Sequence, residues 1–436
     1  MNRHIVFLQG PHGPFFNALA RGLRTAGAGV SRVGFTAGDA AGWIGLAGYD
    51  PWRGGIDGLE PHLESHFRRK GATDIVLYGD ARPCHRIALD LAKRSGLTIH
   101  FFEEGYLRPY WATYERGGVN GGSRLVDIPL AAMERALASR APVPKAVPDQ
   151  WGAALAHAGW GAAYHLASAL GGRRYPGHEP HRGMGIGREA WLNAARIASQ
   201  PASALRRRAG QARLLGAGVP YHVALLQLSH DSAVRRHSRY ASNSAFAAEV
   251  IAAFAAGAPG HHHLVFKRHP FDDGREPLAA MIRRLAERAG VAARVHVHPA
   301  GRLGSLLDAA VSAVTINSTS AHQALWRGLP VLALGRAAYA RPGIVSGQAL
   351  PDFFADPESP DREAYLTFRA FLLATSQIEG GFYTARGRAA VLRRAVDLVL
   401  ADRDPYAALL DHDGDRAARI VPGARRSGLA TGGGGG

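Results

Sequence analysis

Residues 264–270 read LVFKRHP, and they constrain the fold more than any other stretch of this chain. An apolar run rich in β-branched and aromatic residues has the composition of a buried parallel strand. Pro270 ends it, because proline has no amide to donate and holds the residue before it away from helical geometry. In an open α/β sheet, ligands bind in the crevice beyond the carboxyl ends of such strands. Lys267 and His269, at the tip, are therefore placed to meet an anion.

The same alternation of apolar strand, polar tip and helix recurs along the chain. His4–Leu8 (HIVFL) runs into Gln9-Gly10-Pro11-His12-Gly13-Pro14 and a helical pattern through Leu19 and Leu23. That loop is neither GxGxxG nor a Walker A loop, so it reads equally as a cleft lining or as a plain tight turn. Asp74–Tyr78 is followed by Gly79-Asp80-Ala81-Arg82-Pro83 and a helix from Cys84 to Ser95. Leu97–Phe102 is followed by Glu103, Glu104 and Gly105, the place where α/β enzymes keep catalytic groups. Successive strand residues point to opposite faces, so one of the two glutamates is expected to enter the cleft.

In the second half, Tyr221–Leu228 ends at Ser229-His230-Asp231-Ser232. Asp231 suits a helix cap and a catalytic carboxylate equally well. Ala313–Ile316 leads into Asn317-Ser318-Thr319-Ser320 and a helix from Ala321. Small hydroxyl residues at such a junction offer amides and hydroxyls to a phosphate or carboxylate, which makes this the best anion site by pattern.

Length and composition bound the rest. A chain of 436 residues, 47% hydrophobic and 20% charged, is globular and too long for one core, so two domains are expected. The expected division is 1–216, including a helical basic segment at 129–216, then 217–410, then a polar, glycine-rich tail at 411–436 expected to be disordered. The formal charge of +17 calls for an anionic partner. Basic runs interleaved with aromatics are missing, so nucleic acid ranks below a membrane surface. A single cysteine, Cys84, excludes an intrachain disulfide.

The amino terminus lacks a signal-like apolar run and no segment offers a membrane span, so a cytoplasmic protein is expected. Ala153–Leu170 comes nearest to a span, but His157 and His165 interrupt it, and it reads as a soluble or interfacial helix. Around it, Arg173, Arg174, Arg206, Arg207 and Arg208 with Trp151, Trp160 and Trp191 suit anionic lipid headgroups; a solvated helical insertion fits as well. The clusters His261-His262-His263 and His296-x-His298 lack carboxylate or cysteine partners at ligand spacing, and Asp411-His412-Asp413-Gly414-Asp415 lies in the polar tail and reads as a turn, so no metal site is expected.

Five blocks, FLQGPHGPFF, FFEEGYLRPYWATYERGGVN, LLQLSHDSAVRRHS, VFKRHPFDDG and TINSTSAHQALWRGLPVLALG, fall in order across residues 7 to 335. Together they resemble the bacterial capsular polysaccharide biosynthesis and export family that holds β-Kdo transferases, and within it the single-domain members that start a lipid-linked linker of the keto-sugar acid Kdo. The resemblance implies a GT-B architecture, two Rossmann-like domains facing a cleft, with CMP-Kdo as donor and neither cofactor nor metal. It implies that His269-Pro270 is the His-Pro motif at the CMP phosphate, completed by Lys267, Asn317, Ser318 and Thr319. Asp231 falls on the proposed nucleophile, and Glu104 or Glu103 on the acid/base partner. Arg108 is assigned to the Kdo carboxylate on bidentate geometry alone. The implied acceptor is a lysophosphatidylglycerol-type lipid at the inner face of the inner membrane, with other capsule synthesis and export proteins as partners. Two rival expectations remain: another nucleotide sugar moved to a polysaccharide, or a non-catalytic export or lipid-binding protein.

Overall fold

The computed structural model describes residues 3–138, 153–177, 216, 218–228, 234, 237–269, 272, 276–298 and 303–411. Its strands are β1 (His4–Phe7), β2 (Gly29–Gly34), β3 (Tyr49–Pro51), β4 (Asp74–Tyr78), β5 (Thr98–Glu104), β6 (Trp111–Arg116), β7 (Tyr221–Leu225), β8 (His263–Lys267), β9 (Val295–His298), β10 (Ser312–Thr315), β11 (Val331–Ala333) and β12 (Gln377–Glu379). The helices are α1 (Phe15–Thr25), α2 (Ala37–Ala41), α3 (Leu59–Lys70), α4 (Pro83–Arg94), α5 (Leu130–Leu137), α6 (Ala153–Leu170), α7 (Asn243–Gly257), α8 (Leu278–Arg288), α9 (Leu303–Leu307), α10 (Ala321–Trp326), α11 (Leu350–Ala355), α12 (Arg362–Ala374) and α13 (Ala385–Leu400).

The strands form two sheets, seven-stranded in the order β12-β6-β5-β4-β1-β2-β3 and five-stranded in the order β11-β10-β7-β8-β9. The second sheet is parallel throughout. Its strand order reverses between β7 and β10, and that of the first sheet between β1 and β4. Such reversals open the crevice in which doubly wound sheets bind ligands. The architecture is the expected α/β one, two Rossmann-like units of GT-B type.

The apolar strand cores are buried because helices cover them: Val265 and Phe266 of β8 and Val76 and Leu77 of β4 have no exposed surface. Full burial of such a side chain stabilises by roughly 1.5–3 kcal/mol. One buried cluster runs from Val6 and Leu77 of the first sheet to Val223 and Val265 of the second, so the units share packed apolar contact. Arg341 pins them further, donating to the carbonyls of Ile128, at 2.8 Å, and Leu125.

The chain does not divide as its sequence suggests. β12 pairs antiparallel with β6, Gln377 opposite Thr113, and α13 lies against α1. Residues 377–400, expected in the second domain, therefore complete the first. The α13–α1 approach is close: a Cβ on Gly22 would stand 2.8 Å from Val396. Arg3 caps the far end of α13 by donating to the carbonyls of Leu400 and Val399, both at 2.9 Å, and Arg116 donates to Leu398 at 2.8 Å. Cations at a helix carboxyl end satisfy its open carbonyls and oppose its dipole. The expected tail is described only at Asp411, and residues 412–436 lie outside the described residues.

Candidate active site

β7 lies between β10 and β8, and the register sets Thr315, Leu225 and Lys267 level with one another. Whatever follows these three strands must meet at one edge. Gln227, two residues past β7, accepts the Asn317 amide on Oε1 at 3.2 Å. Asn243 holds Gln227 in turn, donating from Nδ2 to its carbonyl at 2.8 Å. The ends of β7 and β10 are thus tied together at the strand-order reversal.

Lys267 is buried at the end of β8, its Nζ donating to the Arg268 carbonyl at 3.0 Å. Arg268 bonds Asp272 at 2.8 Å, and His269 follows half-buried. Ser318 Oγ accepts the Ser320 amide at 3.2 Å, which leaves its own proton to donate. The helix behind it, α10, starts at Ala321 as expected and has six residues. The structure thus brings Lys267, His269, Asn317, Ser318 and Thr319 to one sheet edge. Asp231 and Pro270 lie outside the described residues.

Across the cleft the groups are acidic. Glu103 and Glu104 belong to β5 itself rather than to the loop after it, because β6 pairs beside them, Glu103 opposite Thr113 and Glu104 opposite Ala112. The pleat then sends them to different partners. Glu103 Oε2 accepts from Asn120 Nδ2 at 2.7 Å. Asn120 and Tyr106 line a small cavity of about 30 Å³ together with Asn317, Thr319 and Tyr339 of the second domain. Glu104 Oε1 accepts from the Tyr78 hydroxyl at 3.2 Å. Burial first, and then the Glu104 carboxylate, push the Tyr383 hydroxyl up, which puts Tyr383 beside Glu104 as well. Arg108 is exposed on the β5–β6 turn, its Nε donating to Gly105 at 3.2 Å, and is not among the residues lining that cavity.

Two buried groups at the domain junction went unremarked in the sequence. Asp80, just past β4, and His237 of the second domain stand 3.3 Å apart without hydrogen-bond alignment. A Cβ on Gly121 would come within 2.7 Å of the His237 ring, so only glycine allows this approach. The available signal was the position of Asp80 beyond a strand end; nothing local announces a partner 157 positions later.

Glu115 on β6 is fully buried, and burial pushes its carboxyl up to about 8 against the pull of the Ser123, Tyr106 and Tyr406 hydroxyls. Among the described residues, no group of three or more His, Cys, Asp or Glu is arranged to hold a metal. The paired histidines, His263 with His296 at 2.7 Å and His222 with His262 at 3.0 Å, join neighbours across β7, β8 and β9, and His222, His262 and His263 sit at the opposite end of their strands.

A family model described as "Capsule polysaccharide biosynthesis protein" matches residues 73–383. The chain is 30% identical over 394 residues to the "Capsule polysaccharide modification protein LipB" of Neisseria meningitidis serogroup B, covering 87% of this chain and 92% of that protein. It is 30% identical over 391 residues to the "Capsule polysaccharide export protein KpsS" of Escherichia coli, covering 87% of this chain and 96% of that protein. Among solved structures, KpsC of Thermosulfurimonas dismutans, a β-Kdo 2,7 transferase, aligns at 11% identity over 91% of this chain and 100% of that chain, with a TM-score of 0.44. The protein belongs to the capsule polysaccharide biosynthesis family.

Proposed function

We propose that this protein is a glycosyltransferase that moves Kdo from CMP-Kdo to a lysophosphatidylglycerol-type acceptor, starting the β-Kdo linker of a capsular polysaccharide at the cytoplasmic face of the inner membrane without a metal. The observation that carries this reading is the opposition of two strand-end clusters: Lys267, His269 and Asn317–Thr319 on one side of the cleft, Glu103 and Glu104 on the other. A nucleotide leaving group departs more readily where cations and donors neutralise its growing negative charge. A carboxylate opposite can take the acceptor's proton.

Asp231 serves as nucleophile in this reading. Its carboxylate oxygen bonds to the anomeric carbon of Kdo as the bond to the CMP phosphate breaks, and CMP leaves with the electron pair. The acceptor hydroxyl, giving its proton to Glu104 or Glu103, then attacks the same carbon and the ester oxygen returns to Asp231. Two displacements retain the donor configuration, as in retaining glycosidases.

The test is mass spectrometry of reactions in which wild type and Asp231→Asn each receive freshly generated CMP-Kdo and a fluorescent lysophosphatidylglycerol analogue. A product one Kdo heavier, from wild type alone, is expected. A second reading, a non-catalytic export component, draws on the word "export" in the name of one relative. Absence of product from any nucleotide sugar, with lipid binding intact, favours that reading.

A further inference from the structure

Helix α6 is inside out. Among its 18 residues none is Asp, Glu, Lys or Arg, yet its polar side chains face the protein. The Tyr164 hydroxyl accepts from Gln9 Nε2 and Thr36 Oγ1, both at 2.9 Å, and its ring stacks on His12 at 4.4 Å. Ser168 Oγ accepts the Gly38 amide at 3.3 Å, and Trp160 Nε1 donates to the Tyr383 carbonyl at 3.0 Å. The face turned outward is apolar: Leu155, Leu166 and Leu170 are 87%, 60% and 81% exposed, with Ala158, Ala162 and Ala163 exposed between them. A surface helix in water carries the reverse pattern. Ile44, 73% exposed, widens the patch, since it lines with Ala163 and Trp160 a shallow groove of about 270 Å³. Exposed apolar area of this kind marks an interaction surface.

Charge identifies the partner. Residues 171–220 hold nine Arg against two Glu, with no Lys or Asp. Arg173 and Arg174, just past α6, are exposed, and Arg21 is exposed beside Ile44, donating to its carbonyl at 3.3 Å. Leucines flanked by arginines match the boundary of an anionic leaflet, where acyl chains take the apolar face and phosphates the guanidinium groups. No helix among the described residues is long and apolar enough to cross a membrane, so α6 would lie in the plane.

We propose that the outward face of α6, together with Ile44, inserts into the boundary of an anionic phospholipid leaflet. The inference deepens the lipid-acceptor reading and rests on it for its purpose: on the inward side of α6, Trp160 bonds the Tyr383 carbonyl, and Tyr383 stands beside Glu104, so the docked helix is linked through Tyr383 to a candidate acid/base group. An acceptor held in the leaflet would be presented from this side.

The test uses the full chain, co-sedimented with phosphatidylcholine vesicles with and without phosphatidylglycerol. Wild type is expected to bind only the anionic vesicles, and a variant carrying Leu155→Glu, Leu166→Glu and Leu170→Glu to bind roughly a thousandfold more weakly, each leucine contributing about tenfold. Arg173→Glu with Arg174→Glu should weaken binding to anionic vesicles severalfold. In case the triple variant misfolds, Leu166→Cys on a Cys84→Ser background, labelled with an environment-sensitive fluorophore, should shift to the blue on anionic vesicles. Equal binding by wild type and a folded triple variant, or no shift at position 166 on bound protein, overturns the proposal. Vesicle binding is read without any sugar donor, so a wrong donor leaves this result standing. Transfer to a short-chain, water-soluble acceptor should survive the triple variant.

Discussion

The two sheets end in opposite chemistry. At the carboxyl edge of the first stand Glu103, Glu104 and Asp80, with buried Glu115 farther back on β6, opposite Phe101; at that of the second stand Lys267, Arg268 and His269. Their means of restraint differ as well. Glu103 accepts from the Asn120 amide and Glu104 from the Tyr78 hydroxyl, which hold each carboxylate in place. Lys267 donates to the neighbouring main-chain carbonyl at 3.0 Å, which fixes the position of its ammonium. In the proposed reaction the first edge would handle protons and the second would receive an anion.

That division breaks most visibly at the glutamates. Glu104→Gln is expected to lower transfer at saturating substrates by roughly 10²–10⁴, the usual contribution of a positioned acid or base. Glu103→Gln should cost less than about tenfold, because Gln can still accept from Asn120. Equal losses, or the reverse order, would move the proton-handling role to Glu103. On the opposite edge, Lys267→Met removes the buried cation while keeping its bulk and should cost roughly 10²–10³ in the same assay, as for loss of one preorganised donor. A Lys267→Met enzyme turning over at the wild-type rate would show that the basic edge does not receive the leaving group.

Sequence and structure part company in instructive places. The LVFKRHP strand was legible because burial, β-branching and a terminal proline act within a few residues. β6 and β12 were not: Trp111–Arg116 is polar at several positions and Gln377–Glu379 is three residues long, so neither carries a periodic signal. The return of residues 377–400 to the first domain rests on the capping of α13 by Arg3 and Arg116 and on its packing against Gly22, contacts made across 282 to 397 positions. Likewise, α6 was legible as a helix with the observed bounds, but which of its faces is turned inward depends on Gln9, Thr36 and His12.

A third prediction concerns the opposite end of the first sheet, where charge serves stability instead of chemistry. Burial alone would raise the Asp74 carboxyl, yet hydrogen bonds from His100, Arg3 and Thr73 hold it well below the usual carboxylate range. Its contribution is therefore present above the ordinary carboxylate pKa and lost as pH falls through the depressed one. Asp74→Asn strands Arg3 and His100, and denaturant unfolding at neutral pH should show a loss of about 3–5 kcal/mol. A loss under about 1 kcal/mol would assign the attachment of α13 to apolar packing alone.

The smallest effect sharpens the count of charges on the acidic side. With its carboxyl pushed up to about 8, Glu115 is mainly protonated in the folded state at neutral pH. The unfolded chain releases that proton near the ordinary glutamate value of about 4.3. Between those values the folded state binds one more proton, so stability from this group falls as pH rises, by about 1.4 kcal/mol per pH unit at most, until the folded carboxyl itself ionises. Glu115→Gln keeps the shape and a hydrogen-bonding amide but cannot ionise. Its stability profile from pH 5 to 8 should therefore be flatter than that of wild type by close to that slope, and the variant should gain most at the alkaline end. Parallel profiles for the two proteins would mean that the hydroxyls of Ser123, Tyr106 and Tyr406 hold Glu115 as a carboxylate, adding a buried negative charge to the first sheet.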